Sequence, residues 1–253
     1  MSTTQRERTT PPRPKRRGPG WIPNQHGAWA MLATPLLVGI LASQPRWVHL
    51  PLTAFWFVGY FAFFATGLWL KSRRKPRYWP PVRTYAAAAT LLGALTLALD
   101  PGLIRWAPLF VLPLGIGLIA SARRDERSLW SGVATSAGSA LMTLVAYDAG
   151  AGTDLHRAWI LTGILAAYFV GTVLYVKTMI RERDEPTYHW LSMLAHGAAT
   201  VAMIPVSPWL VVVFALLTIR AAVLPAFRLS PKAVGIIEVV ATVLVAVVAL
   251  GTT

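Results

Sequence analysis

Residues 23–32, PNQHGAWAML, join a basic, proline-rich tail to the first long apolar run of the chain. Pro23 and Asn24 are typical of a helix start, because proline fixes the entering backbone and an asparagine side chain caps free amides. Gln25 and His26 then fall in the first turn, where unpaired N–H groups attract anions. The stretch therefore predicts that a helix enters an apolar layer here, with polar groups at its boundary.

The composition places the whole chain in that apolar layer. Of its 253 residues, 55% are hydrophobic and 13% are charged, whereas soluble domains contain about 25% charged residues. The net charge is +14, but the basic residues lie between apolar runs, so we expect a bilayer rather than nucleic acid as the partner. Cysteine is absent, which excludes disulfides and thiolate ligands. We expect a disordered basic tail over 1–20 and one membrane domain over 21–253.

The apolar runs have the length of membrane spans, roughly 20 residues each. The sequence predicts an all-α polytopic membrane protein with about nine spans, at 27–43, 50–70, 82–99, 106–120, 129–147, 158–176, 190–204, 209–225 and 231–250. With the N-terminus in the cytoplasm, 20 of the 24 Lys and Arg fall on the cytoplasmic side. Only Arg46, Arg105 and Arg157 fall outside, and Arg220 lies within a span. This bias follows the positive-inside rule and predicts that the C-terminus lies outside.

Three polar segments on the cytoplasmic side are candidates for one anion-binding site. Cationic side chains suit phosphate, aromatic rings suit the membrane interface, and a helix start attracts negative charge. The candidate ligand-binding residues are Asn24, Gln25, His26 and Trp29 at the first span, Lys71, Arg74, Lys75 and Tyr78 after the second, and Tyr175, Lys177, Arg181 and Glu182 after the sixth. No catalytic residue, cofactor or metal ligand is assigned, and the oligomeric state is left open.

The segment after the sixth span reads as a helical extension ending before Pro186. In that extension Lys177, Arg181 and Glu185 share one face, and Arg181 can pair with Glu185. A solvated helix end would have the same pattern, so the segment is either a phosphate clamp or simply an exposed helix end.

Two charged residues fall well inside the predicted spans, away from the ends, where charge is costly. Arg220 and Glu238 lie nine residues either side of position 229, in the turn between the last two spans. Antiparallel helices place them at similar depth, roughly 10 Å in from the turn. We predict an intramembrane ion pair, either as a structural pin or as part of a polar pocket. His196, within the seventh span, is interpreted mainly as a residue that hydrogen-bonds between helices.

Two motifs resemble the YwiC-like family of bacterial membrane proteins. They are PNQHGAWAM at 23–31 and YVKxxIRER at 175–183, with the basic loop 71–78 between them. The resemblance covers most of the chain from residue 21. It implies a multi-pass protein of the bacterial cell membrane and carries no reaction with it.

The predicted architecture also resembles the UbiA prenyltransferase superfamily. That resemblance rests on nine helices, a cytoplasmic N-terminus and long polar inner loops after the second and sixth spans. The superfamily binds a prenyl diphosphate through Mg²⁺ on Asp-rich motifs in those loops. This chain departs from the pattern, because the first loop has no acidic residue and the second has only Glu182, Asp184 and Glu185.

Three functions are compatible with these features. The first, which we favour, is an enzyme or binding protein that holds an isoprenoid or phospholipid-like anionic ligand at a cytoplasmic-face pocket. The second is a small-molecule or ion transporter, for which the ion pair is the main candidate site. The third is a non-catalytic accessory protein whose small-residue helix faces pack against partners.

Overall fold

A computed structural model describes residues 20–23 and 28–253, and every regular element in these ranges is helical. Among these described residues, seven segments are long and apolar enough to cross a membrane, one of them formed by α5 and α6 together. The helices α1, of 15 residues, and α8, of 17, complete nine helical segments in the described chain. The helices are α1 (Ala28–Ala42), α2 (His49–Lys71), α3 (Trp79–Leu99), α4 (Ala107–Ala122), α5 (Leu129–Ala140), α6 (Met142–Ala149), α7 (Leu155–Val176), α8 (Pro186–Ala202), α9 (Pro208–Val223) and α10 (Pro231–Thr252).

The all-helical membrane fold agrees with the prediction, and two spans differ from it in detail. The predicted fifth span is divided at Leu141, between α5 and α6. The second part lies directly against α1, where a Cβ on Gly39 would come within 2.4 Å of the Thr143 carbonyl oxygen. The predicted helical extension after the sixth span is instead one π-helical turn, Lys177–Arg181. Because that turn ends at Glu182, Glu185 does not continue the face that carries Lys177 and Arg181.

The core lies around α7, which packs against α1, α5, α6, α8 and α10. Its side chains Leu161, Leu165, Tyr168 and Phe169 are almost completely buried. In contrast, α2, α3 and α4 form an outer group that leaves most of its apolar surface exposed. Small residues bring the inner helices close together, which is typical of membrane bundles. Gly132 of α5, for example, lies against Val173 of α7.

The loops form two faces, and contacts between loops define each face. On one, Lys71 after α2 pairs with Glu126 after α4, and Arg228 after α9 lies 3.6 Å from Asp184 after α7. On the other, Arg157 donates to the Ala42 carbonyl at 3.2 Å. In the described ranges, 14 Lys and Arg residues lie at the first face and 3 lie at the second. We call the first the basic face.

Candidate functional site

A buried ion pair joins α9 to α10 near the basic face. Arg220 is in the last turn of α9, and Glu238 is about two turns into α10. The Arg220 Nη1 donates to Glu238 Oε1, and the two side chains are only 10% and 13% exposed. The two antiparallel helices therefore bring together the residues that are equidistant from position 229, as the sequence spacing predicts.

Hydroxyl groups of α7 hold the other carboxylate oxygen of this pair. The Thr172 hydroxyl donates to Glu238 Oε2 at 2.9 Å, and the Tyr168 hydroxyl lies 3.2 Å from the same atom. The Tyr168 hydroxyl is also 2.9 Å from the Thr242 hydroxyl, which donates to the Glu238 carbonyl. Glu238 is therefore fixed from both α7 and α10, and its carboxylate keeps the Arg220 guanidinium in one place.

The guanidinium of Arg220 makes only part of its possible contacts. Its central carbon lies 4.1 Å from the centre of the Tyr175 ring, which is a cation–π geometry. Its Nη1 is used by Glu238, but Nε and Nη2 are buried and have no hydrogen-bond partner among residues 20–23 and 28–253. These two atoms form one edge of the planar guanidinium, with two parallel donors spaced to match a carboxylate or a phosphate.

Three more unpartnered polar atoms lie on the helices beside Arg220. The His196 ring meets the Tyr175 ring edge to face, with centroids 6.5 Å apart. His196 Nδ1 donates to the Ser192 carbonyl at 2.7 Å, which leaves Nε2 as an acceptor in the neutral ring. This Nε2, the Ser192 hydroxyl and the Tyr175 hydroxyl are all buried without a partner in the part of the chain that the structure describes. Gly171 makes room for the histidine, since a Cβ there would lie 3.1 Å from Nε2.

We call this group of side chains the polar centre. It combines a fixed cation with several unpaired polar atoms inside an apolar bundle, where an unpaired buried group costs about 1–3 kcal/mol. Its members are Tyr168, Thr172, Tyr175, Ser192, His196, Arg220, Glu238 and Thr242.

Half of the polar centre is not predicted from the sequence. Tyr175, Arg220 and Glu238 are predicted there, and His196 is predicted only as a residue that packs between helices. The signal that could have found the others is polar residues at helical spacing within apolar runs. Ser192 precedes His196 by four residues, and Tyr168, Thr172 and Tyr175 have spacings of four and three.

The segment after α7 has a contact of its own beside the polar centre. Lys177 is 8% exposed, and its Nζ lies 3.7 Å from Glu182 Oε1 and 5.1 Å from the centre of the Tyr188 ring. The predicted Arg181–Glu185 pair is replaced by this contact, because the π-helical turn changes the spacing. Arg181 itself is exposed.

The loop after α2 makes contacts in the other half of the molecule. Lys71 pairs with Glu126, and Arg124 Nε donates to the Lys71 carbonyl at 3.2 Å. Partial burial raises the pKa of Glu126, but the hydrogen bond and charge of Lys71 outweigh this effect and lower the pKa below its usual range. Lys75 is exposed and Tyr78 is half-buried.

The structure describes only part of the three polar segments that are predicted to form one anion-binding site. Asn24, Gln25 and His26 lie outside the described residues. Trp29, which follows them, is 40% exposed and packs on Phe57 and Phe61 of α2, with ring centroids 6.2 and 6.0 Å apart. Among residues 20–23 and 28–253, no hydrogen bond or ion pair joins the 71–78 loop to residues 175–182.

The described part of the chain holds no cluster of three or more His, Asp or Glu side chains placed to bind a metal ion. The resemblance to the UbiA superfamily therefore stays a prediction from architecture alone.

The fold and the polar centre together define a polytopic helical membrane protein with a buried, partly unpaired arginine. The family described as YwiC-like protein matches residues 22–147. A Haemophilus influenzae protein titled "Uncharacterized protein" is 31% identical over 226 residues, covering 86% of this chain and 92% of the relative. The Bacillus subtilis "Uncharacterized protein YwiC" is 33% identical over 181 residues, covering 69% and 73%. No solved structure matches the chain. The chain belongs to the YwiC-like family.

Proposed function

We propose that this protein binds an anionic ligand inside the membrane, with the free edge of Arg220 holding a carboxylate or phosphate group. The observation that carries the proposal is the pair of unpartnered donors, Nε and Nη2, on a side chain that is nine-tenths buried. An unused guanidinium edge in an apolar site is costly, and an anion that accepts both hydrogen bonds removes this cost. Glu238 and the Tyr175 ring hold the guanidinium in place before the ligand arrives.

The surroundings of Arg220 favour an isoprenoid or phospholipid-like ligand. The neighbours Ile219 and Val239 are 58% and 55% exposed on the outer surface of α9 and α10. The helices that carry the ion pair therefore also present exposed apolar surface. An amphipathic ligand can place its anionic group at Arg220 and leave its hydrocarbon chain in the lipid, where burial of each CH₂ contributes about 0.8 kcal/mol.

The proposed orientation puts the polar centre near the cytoplasm. The excess of basic residues at the basic face supports a cytoplasmic N-terminus, a C-terminus outside and location in the bacterial cell membrane. A ligand would then enter from the inner leaflet.

Transport of the same anion is a second candidate function. Two observations favour it: the ion pair is buried between two apolar helices, and α7 changes to a π-helical turn at Lys177, two residues after Tyr175. Irregular helix segments beside a buried charge are common at the sites of transporters. Uptake of a labelled anionic probe into proteoliposomes would distinguish transport from binding alone.

The substitution Arg220→Lys tests the binding proposal. Lysine keeps the charge that pairs with Glu238 but lacks the two-donor edge. The probe is farnesyl phosphate. At a probe concentration 100 times Kd, we expect the free energy of unfolding of the wild-type protein in detergent to rise by about 2.7 kcal/mol. Arg220→Lys should lose at least tenfold in affinity, measured by ligand-induced shifts in Tm.

Arg228→Lys is the matched control, because it makes the same change at an exposed position of the basic face. It should bind the probe like the wild-type protein. If Arg220→Lys is folded by circular dichroism and binds the probe with wild-type affinity, then the guanidinium edge does not determine binding.

A further inference from the structure

The turn between α2 and α3 carries a second feature that the polar centre does not use. A groove of about 270 Å³ is lined by Trp69, Arg74, Pro76 and Trp79. The two tryptophan rings have centroids 4.9 Å apart, and the Arg74 guanidinium carbon lies 5.7 Å from the centre of the Trp69 ring. One wall of the groove is therefore aromatic, and a cation lies beside it.

The backbone holds Arg74 in this position at a cost. Arg73 and Arg74 have φ values of 59° and 58°, in the left-handed region that residues other than glycine rarely adopt. Hydrogen bonds fix the turn, with the Arg74 amide donating to the Trp69 carbonyl at 2.8 Å and the Ser72 hydroxyl donating to the same carbonyl at 2.8 Å. The side chain of Arg74 is thus directed by an ordered turn rather than by a free loop.

The charges around the groove are unbalanced. Lys71 is neutralised by Glu126, but Arg73, Arg74, Lys75 and Arg77 have no acidic partner among the residues the structure describes. The turn joins two helices that are long and apolar enough to cross a membrane, and the ends of such helices lie at the depth of the head groups. Tryptophan also prefers this depth, and Trp79 is 44% exposed there.

We propose that this groove is a binding site for an anionic phospholipid. Arg74 binds the head-group phosphate, and the Trp69–Trp79 wall contacts the first part of the acyl chains. Net cationic charge beside the membrane selects an anionic head group over a zwitterionic one. The site is separate from the polar centre and does not depend on the ligand proposed for Arg220, since its residues belong to α2, α3 and the turn between them.

Native mass spectrometry of the detergent-purified full chain tests the proposal. The probes are phosphatidylglycerol and phosphatidylcholine with identical acyl chains. We expect the wild-type protein to retain the anionic lipid preferentially, and Arg74→Gln to reduce this preference about fivefold, which corresponds to about 1 kcal/mol for one cation near anionic lipid. Lys232→Gln is the matched control, because it removes one exposed cation from the basic face, at the start of α10.

A second variant tests the aromatic wall. Trp79→Leu should weaken binding of both lipids without removing the preference for the anionic one. The proposal is overturned if Arg74→Gln keeps the full preference for the anionic lipid. It is also overturned if Lys232→Gln loses as much of that preference as Arg74→Gln does. Either outcome means that total charge alone attracts the lipid. Arg74→Gln should cause the same loss of preference when Arg220→Lys is also present, so failure of this site and failure of the polar centre give different results.

Discussion

Replacing Glu238 with methionine should destabilise the protein much more than replacing Glu238 and Arg220 together. The single change leaves a guanidinium that is nine-tenths buried without its counter-charge, which costs about 3–5 kcal/mol. It also removes the acceptor of the Thr172 hydroxyl, which costs about 1 kcal/mol more. We therefore expect a loss of about 4–6 kcal/mol in the free energy of unfolding.

The double variant Arg220→Met with Glu238→Met removes both charges, so most of that penalty disappears. Apolar replacements of buried ion pairs are often neutral, and we expect the coupling energy between the two positions to be at least about 2 kcal/mol. Unfolding by sodium dodecyl sulfate in mixed micelles, followed by far-UV circular dichroism, gives the four free energies of the cycle.

The exposed pair Arg228–Asp184 supplies the control cycle. Its side chains are 73% and 85% exposed, and its coupling energy should be below about 0.5 kcal/mol. The Arg220–Glu238 coupling energy is equally small if the effects of the two single changes on the free energy of unfolding simply add. In that case the pair is solvated and the polar centre is not desolvated.

Two further predictions concern helix contacts and pH. Gly39→Ala should lower the free energy of unfolding by about 1–3 kcal/mol, because its Cβ would lie 2.4 Å from the Thr143 carbonyl oxygen. Gly59→Ala is the control, because the space around it is open, and it should be neutral in the same denaturation assay. The Lys71–Glu126 pair should contribute less than about 1 kcal/mol to the free energy of unfolding. This contribution is present above pH about 4.3 and is lost as the pH falls through the lowered pKa of Glu126. Lys71→Met should therefore reduce the loss of Tm between pH 5 and pH 3, and an unchanged pH profile would contradict the assignment.

Much of the fold could be predicted from the sequence, because the spans differ from their loops in both hydropathy and charge. The last predicted span, 231–250, corresponds to α10 at Pro231–Thr252, since proline and serine mark its start. The break at Leu141 and the π-helical turn at Lys177 could not be predicted. The break coincides with close contact between α1 and α6, which joins segments far apart in the chain.

The candidate site could be predicted only in part. Charge inside an apolar run identifies Arg220 and Glu238 by itself, since burial makes such residues costly unless they are paired. The loop cations and Lys177 belong to the same face in the sequence, but in the structure each group has its own partners. A count of charges places residues on a side of the membrane and says nothing about lateral distance.

The sequence by itself determined the class of protein, the order of the helical segments, the asymmetry of charge and the pairing of Arg220 with Glu238. These properties depend on residue type and spacing along one chain. Only the tertiary structure decided that Tyr175, Ser192 and His196 meet near Arg220, and that the Nε and Nη2 edge of this arginine is left unpaired. The physical reason is that membrane helices associate through close packing and polar contacts between distant segments, whose rotation and neighbours are not fixed by hydropathy.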